Sequence, residues 1–238
     1  MSYYTPIQRR LRLGSTLRGL GLAALAFLVA VVLDRPLYWL LRSRLNIQKP
    51  DVDGADWWEF MRVFGYLPAW FFLALPIWLH DRQQAASGAT QVRPRRRMGL
   101  ILLSVIFAGA LAELLKPILG RTRPDATEPT FGLLPNYKFF PMFAETPDGV
   151  GLGLASSHTA IAFGGAWATA LVVPSARAAV LVGAFGCAVS RILAHAHYLS
   201  DCVLAAIIGI AIARLLFESD QQGRRPNESL VHVRRRLG

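Results

Sequence analysis

The chain has 238 residues, of which 53% are hydrophobic and only 17% charged, and its formal net charge is +11. So apolar a composition excludes an ordinary soluble domain. The excess of cations raises the question of nucleic acid, and the distribution of those cations argues against it.

Residues 1–16 form a basic, amphipathic lead-in. Six apolar stretches follow, each near the roughly 20 residues that a helix needs to cross a bilayer. They are Leu17–Leu33, Phe60–Leu79, Met98–Leu115, His158–Val173, Ala176–Leu193 and Leu199–Phe217, the last three short or alanine-rich. No small-residue cleavage site precedes Asp34-Arg35, so the first stretch reads as a retained anchor and not a signal peptide. Asp34–Asp56 is expected outside the membrane, with Leu37–Leu41 as a short helix lying in the interface. Trp57 and Trp58 read as interface anchors before the second span. Ala85–Arg97 is an arginine-rich connector. The longest connection, Gly120–Gly153, holds Pro124, Pro129, Pro135, Pro141 and Pro147 and is of a length usually functional or disordered. Its Tyr137, Phe139, Phe140, Met142 and Phe143 either dip into the bilayer edge at the substrate access route or pack as a lid. From Ser219 onward the chain reads as a solvated, flexible tail.

The expected fold is therefore all-α, an integral membrane six-helix bundle. Its parts are residues 1–97 (basic lead-in, two spans, basic loop), 98–217 (a core of four spans) and 218–238 (a basic tail). Arg9, Arg10, Arg12 and Arg18, then Arg82, Arg93, Arg95, Arg96 and Arg97, then Arg224, Arg225, Arg234, Arg235 and Arg236 share one side if six spans are counted. The positive-inside rule makes that side the cytoplasm. These clusters are topology determinants that touch anionic lipid, and no nucleic-acid partner is expected. The implied location is a bacterial-type inner membrane, multi-pass, with both termini cytoplasmic. Cys187 and Cys202 are expected as buried thiols. No zinc-ligand spacing occurs, so no metal and no cofactor is expected. Nothing in the sequence addresses oligomeric state.

Three short blocks place ionisable residues where apolar stretches end: Lys116–Pro124 (KPILGRTRP), Ala155–His158 (ASSH) and Ser190–Asp201 (SRILAHAHYLSD). Ionisable groups at membrane depth mark function by default. Lys116, Arg123 and Arg191 are suited to neutralising a phosphate, with Ser156 donating to it. His158 and His197 are suited to acid and nucleophile, with Asp201 one helical turn beyond His197 to orient it. The expected topology brings all three blocks to the extracytoplasmic face, opposite the arginine clusters.

This spacing resembles the type 2 phosphatidic acid phosphatases, which share their site with vanadium haloperoxidases. The family pattern is K-x6-R-P, then P-S-G-H, then S-R-x5-H-x3-D. Lys116, Arg123 and Pro124 fit the first block, and Ser190, Arg191, His197 and Asp201 fit the third. The middle block keeps Ser156 and His158 but has Ala155 and Ser157 in place of proline and glycine. The resemblance covers roughly residues 98–217, about half the chain. It implies that His197 attacks phosphorus to form a phosphohistidine while Asp201 fixes its ring. His158 protonates the leaving alcohol and later activates water. Lys116, Arg123, Ser156, Ser157 and Arg191 hold the phosphate, without a metal.

The implied activity is hydrolysis of a lipid phosphomonoester or pyrophosphate at the outer membrane face. Phosphatidic acid, phosphatidylglycerol phosphate, undecaprenyl pyrophosphate and lipid A phosphate are all open as substrates. A lipid-linked phosphotransferase would use the same intermediate, and a non-catalytic lipid-binding relative is the reading that Ala155 and Ser157 would favour. Around the blocks, Glu113 is expected to pair with Lys116, and Asp125 to cap the loop or touch a head group. Arg121 is expected as a snorkelling anchor outside the site. His195 reads as a rim or structural residue, and His80 and His232 as unrelated cytoplasmic-side residues.

Overall fold

The computed structural model describes residues 6–45, 55–88, 94–124, 137–145 and 151–222. Helix α1 spans Pro6–Trp39 and runs on into a π-helical turn, Leu40–Arg44. Helices α2 (Asp56–Val63) and α3 (Leu67–Ala86) meet at a 66° bend. Pro68 has no N–H to continue the ladder of α2, so the chain restarts there. Helices α4 (Pro94–Leu119), α5 (Ser157–Val172), α6 (Arg177–Leu193) and α7 (Leu199–Gln222) complete the bundle, with a 3₁₀ turn at Pro174–Ala176 before α6.

The protein is an all-α, multi-pass membrane protein. Four helical segments are long and apolar enough to cross a bilayer, Leu17–Arg44, Arg95–Leu119, Pro174–Leu193 and Leu199–Gln221, and a fifth is added if the bent α2–α3 pair is one span. The expected count of six thus turns on α5, which has only 16 residues. At 1.5 Å per residue that is about 24 Å, short of the ~30 Å hydrocarbon core.

Helix α5 is nonetheless the centre of the bundle, packed by α4, α6 and α7. Its alanines and glycines permit this, because small side chains let helix backbones approach closely. Ala160, Ala162 and Ala166 are fully buried, and a Cβ added to Gly209 of α7 would stand 2.6 Å from the Ala160 carbonyl oxygen. Trp70 and Ala74 of α3, Ile101 and Val105 of α4, and Val180 and Ala184 of α6 close the core around it. Outward-facing residues are apolar too: Leu20, Leu25, Leu28 and Val32 of α1 and Phe72 of α3 are exposed. A continuous apolar exterior of this kind is what a bilayer covers.

Four expectations change. Leu37–Leu41 is not a separate interfacial helix; α1 continues through it because its apolar face packs on α7. Asp34 therefore sits inside a helix and is buried, not on an outer loop. Trp58 is no interface anchor: it is buried, and its indole N–H donates to the Ser190 carbonyl at 3.0 Å, whereas Trp57 is exposed. The chain also stays helical past Ser219 to Gln222, and Asp220 accepts from Arg96 Nε at 2.7 Å. Expectations for Arg93, Asp125, Pro129, Pro135, Pro147, His232 and the terminal arginines from Arg224 on lie outside the described residues.

Cys187 and Cys202 are both free and buried, as expected for apolar thiols. Glu113 does pair with Lys116, at 2.6 Å.

Candidate active site

The chain brings the three blocks together at one end of the bundle, where α4 and α6 end and α5 and α7 begin. Gly120 turns the chain out of α4 at φ +63, a conformation that favours glycine. The segment after it is then pinned on both sides. Thr122 N–H donates to Lys138 O and Arg123 N–H to Gly151 O, both at 3.0 Å, and Gly153 N–H returns to Arg121 O at 2.7 Å. The described parts of the long loop, 120–124, 137–145 and 151–153, are thereby held together, and Phe139, Met142 and Phe143 are exposed.

Lys116 occupies the last turn of α4. Its ammonium donates to Glu113 Oε1 at 2.6 Å and to Ser157 Oγ at 3.3 Å, which ties α4 to the first residue of α5. Ser156 precedes that helix in an extended conformation. It is fully buried, its N–H donates to the Asp201 carbonyl at 3.3 Å, and its hydroxyl accepts from Thr159 at 3.2 Å. His158 follows, with Tyr66 packed edge-on at 4.9 Å and with Nε2 buried and unpartnered by protein.

Arg191 lies in the last turn of α6, buried, its Nε also without a protein partner. Arg123 is exposed, and its Nε donates to the Leu152 carbonyl at 3.3 Å. His197 is buried in the turn between α6 and α7, with Nδ1 3.5 Å from Asp201 Oδ2. Nδ1 faces the carboxylate, and Nε2 is on the other side of the ring. His197 is close enough to Arg123 and Arg191 to interact with both electrostatically, and His158 to Lys116, Arg191 and His197. All eight residues expected from the sequence thus converge.

The turn carrying His197 is built by a helix stop. Ala196 N–H donates to Arg191 O at 3.1 Å and His195 N–H to Ile192 O at 3.0 Å, the paired bonds of a Schellman ending. His195 takes the left-handed position of that ending, at φ +50, and its ring packs edge-on against Tyr38 at 5.2 Å. Of the two roles expected for it, rim or structural, this contact is of the structural kind. Helix α7 then starts with Tyr198 N–H donating to Asp201 Oδ2 at 2.9 Å, the reach-back of a third-position acid to the residue before the helix.

The sequence reading missed what holds Asp201. Arg121 is no snorkelling anchor: it is buried and donates through Nη2 to Asp201 Oδ1 and to Ser200 Oγ. Its guanidinium lies over the rings of Tyr137 and Tyr198, 4.6 and 5.4 Å from their centroids, and the two rings meet edge-on at 5.2 Å. Asp34 of α1 stands 3.8 Å from Arg121 and accepts from Tyr137 Oη at 2.6 Å and Ser200 N–H at 2.7 Å. A carboxylate directly after the first apolar stretch was the one signal available in the sequence.

Burial pushes the His197 pKa below its ordinary value, against the opposing pull of Asp201. A neutral imidazole is the nucleophilic form. Burial also raises the Tyr137 and Tyr198 hydroxyls, which keeps both as neutral donors. Among the described residues no group of three or more His, Cys, Asp or Glu is placed to hold a metal ion.

Neither curated proteins nor solved structures give a significant match to this chain. Residues 97–225, more than half of the chain, match the PAP2 superfamily, the vanadium haloperoxidase-like group, and the chain belongs to that superfamily.

Proposed function

We propose that this protein is a membrane lipid phosphatase that hydrolyses a phosphomonoester or pyrophosphate through a phosphohistidine on His197. The observation that carries the reading is the environment of that imidazole. It is buried, backed by Asp201, and flanked by two arginines of which Arg191 has no ion pair among the described residues. Phosphoryl transfer consists largely of positioning and charge stabilisation, and these cations supply both. Lys116, Arg123 and Arg191 neutralise the phosphoryl oxygens, with Ser156, Ser157 and the start of α5 completing the cradle. His158, with an unpartnered Nε2, gives a proton to the leaving oxygen and takes one from the attacking water.

Because side chains supply the neutralising charge, turnover needs no divalent metal. The phosphatase core is residues 98–217. The site end of the bundle is extracytoplasmic, since Arg95, Arg96 and Arg97 stand at the start of α4 and the site at its end. This orientation, with six crossings in which α5 is the short central one, puts both chain ends in the cytoplasm.

The test is phosphate release by detergent-purified protein from a panel of lipid phosphates and diphosphates, with EDTA present. Release from at least one lipid is expected. Activity abolished by EDTA and restored by magnesium would overturn the mechanism, and phosphate passed to a second lipid in place of water would make the protein a phosphotransferase.

A further inference from the structure

Arg62 lies outside the three blocks and outside the segment matched to the superfamily. It belongs to the last turn of α2, and its guanidinium stands over two rings, 4.9 Å from the centroid of Trp58 and 5.3 Å from that of Tyr66. Both rings are fastened to the site. Trp58 donates to the carbonyl of Ser190, the neighbour of Arg191, and Tyr66 packs edge-on against His158. Between them, Gly65 presses the bend between α2 and α3 onto α5; a Cβ there would stand 2.7 Å from His158 Cβ. Arg62 is thus held beside both Arg191 and His158 and acts on each electrostatically.

No carboxylate among the described residues forms an ion pair with Arg62 or Arg191. Lys116 has Glu113 and Arg121 has Asp201 and Asp34, but Arg62 makes no ion pair among the described residues, and its Nε is buried without a partner. Two buried or half-buried arginines sharing a site repel unless an anion stands between them. The rings explain why the residue is arginine, since a planar guanidinium stacks where an ammonium does not.

We propose that Arg62 is a specificity-determining residue that binds the lipid-attached phosphate of a diphosphate substrate. This rests on the function proposed above, in which His158 stands on the leaving-group side. An alcohol leaving from a monoester is neutral once protonated and offers Arg62 nothing to hold. A lipid phosphate leaving from a diphosphate remains an anion.

In that reaction His197 Nε2 bonds to the terminal phosphorus as the bond from phosphorus to the bridging oxygen breaks. The electron pair stays on that oxygen, which takes the His158 proton and departs as lipid monophosphate against Arg62. Water then attacks the phosphorus and gives a proton to His158. The P–N pair returns to His197, and inorganic phosphate is released.

The test compares farnesyl diphosphate with farnesyl phosphate, which share one tail, in wild type, Arg62→Gln and Arg62→Lys. A charged hydrogen-bond partner is worth about 1.5–3 kcal/mol, so Arg62→Gln should lose about 10- to 100-fold in kcat/KM on the diphosphate. On the monophosphate it should lose less than about threefold, which also shows that the variant folds. Arg62→Lys should fall between. Equal losses on both substrates, or none on the diphosphate, overturn the proposal.

Binding of methylenediphosphonate and methylphosphonate by calorimetry separates this inference from the reading beneath it. If wild type releases phosphate from neither farnesyl lipid nor any lipid of the panel, yet the diphosphonate binds and Arg62→Gln weakens only that ligand, the Arg62 site stands and the phosphatase reading fails. If Arg62→Gln binds the diphosphonate as wild type does, the Arg62 site fails whatever the activity.

Discussion

Asp34 and Ser200 are joined twice across 166 positions of chain: the Ser200 N–H donates to Asp34 Oδ1 at 2.7 Å, and the Ser200 hydroxyl donates to Oδ2. A residue of the first helix therefore fixes the start of the helix that carries Asp201. Arg121 joins the two carboxylates, the Tyr137 and Ser200 hydroxyls donate to Asp34, and the Tyr198 N–H donates to Asp201. Such a network is costly to interrupt, since removing one partner strands the other charge in a low-dielectric interior.

Arg121→Met is accordingly expected to destabilise the protein by about 3–5 kcal/mol, because it leaves Asp34 and Asp201 facing each other unpaired. Asp34→Asn keeps shape and one acceptor and should cost about 1–3 kcal/mol. Thermal unfolding in detergent, followed by tryptophan fluorescence, measures both. An Arg121→Met protein as stable as wild type would mean that the pair carries no structural weight.

Arg123→Lys and Arg191→Lys test the cradle with charge held constant. A lysine cannot offer the paired, planar donors of a guanidinium, and one lost preorganised donor costs roughly 10²–10³ in rate. Both variants should show that loss in kcat with normal folding. Near-normal turnover in both would remove these arginines from contact with the phosphate.

The two kinds of residue at this end of the bundle differed in how legible they were. Lys116, Arg123, His158, Arg191, His197 and Asp201 could be read because their spacing is local, each block lying within one helix end or turn. Arg121 could not, since an arginine at the end of an apolar stretch reads as an anchor. Only its pairing with Asp201, 80 positions away, shows otherwise. Asp34 and Trp58 were hidden for the same reason, since Ser200 and Ser190 lie far along the chain. So was Arg62, because Arg191 and His158, which it acts on, are distant in sequence although the rings it stacks on are local. The positions of the later helices followed from hydropathy, but two features did not: the bend between α2 and α3, which breaks the expected second span Phe60–Leu79, and the continuation of α1 past Asp34, which depends on packing against α7.

Orientation gives a further expectation. Ser87, exposed after α3, and Met142, exposed on the site loop, should lie on opposite sides of the membrane. Single cysteines at these positions, in a protein lacking Cys187 and Cys202, should be labelled by an impermeant thiol reagent from the cytoplasmic and outer sides respectively. Labelling of both from the same side would break the proposed span count.

His197 should titrate below the ordinary histidine value of 6.5, because burial disfavours its charged form. The sign for stability follows. As pH falls through about 6.5 the unfolded chain takes up the proton first, so this group removes stability from there down to its folded pKa and no further below it. Nitrogen-15 imidazole shifts in micelles, assigned with His197→Asn, measure the value. Asp201→Asn should lower it further, since the carboxylate is what pulls it upward. A His197 that titrates above 6.5 would contradict the buried, neutral nucleophile.

The assignment of the two histidines is open to a direct test, because nucleophile and acid fail at different steps. Without an imidazole at position 197 nothing accepts the phosphoryl group, so His197→Ala should form no phosphoenzyme from any substrate. At position 158 the requirement depends on the leaving group. A lipid alkoxide needs a proton in the transition state, whereas p-nitrophenolate departs with little help. His158→Ala should therefore be severely impaired on lipid phosphate yet still be phosphorylated by p-nitrophenyl phosphate. Its phosphoenzyme should also accumulate, because the same imidazole activates the water that hydrolyses it. Rapid-quench trapping of acid-labile, base-stable phosphate on each variant reads this out. The geometry favours His197 as the acceptor, since its Nδ1 faces Asp201 Oδ2 at 3.5 Å, whereas His158 faces no carboxylate in an ion pair among the described residues. Phosphate trapped on His197→Ala but not on His158→Ala would reverse the two roles.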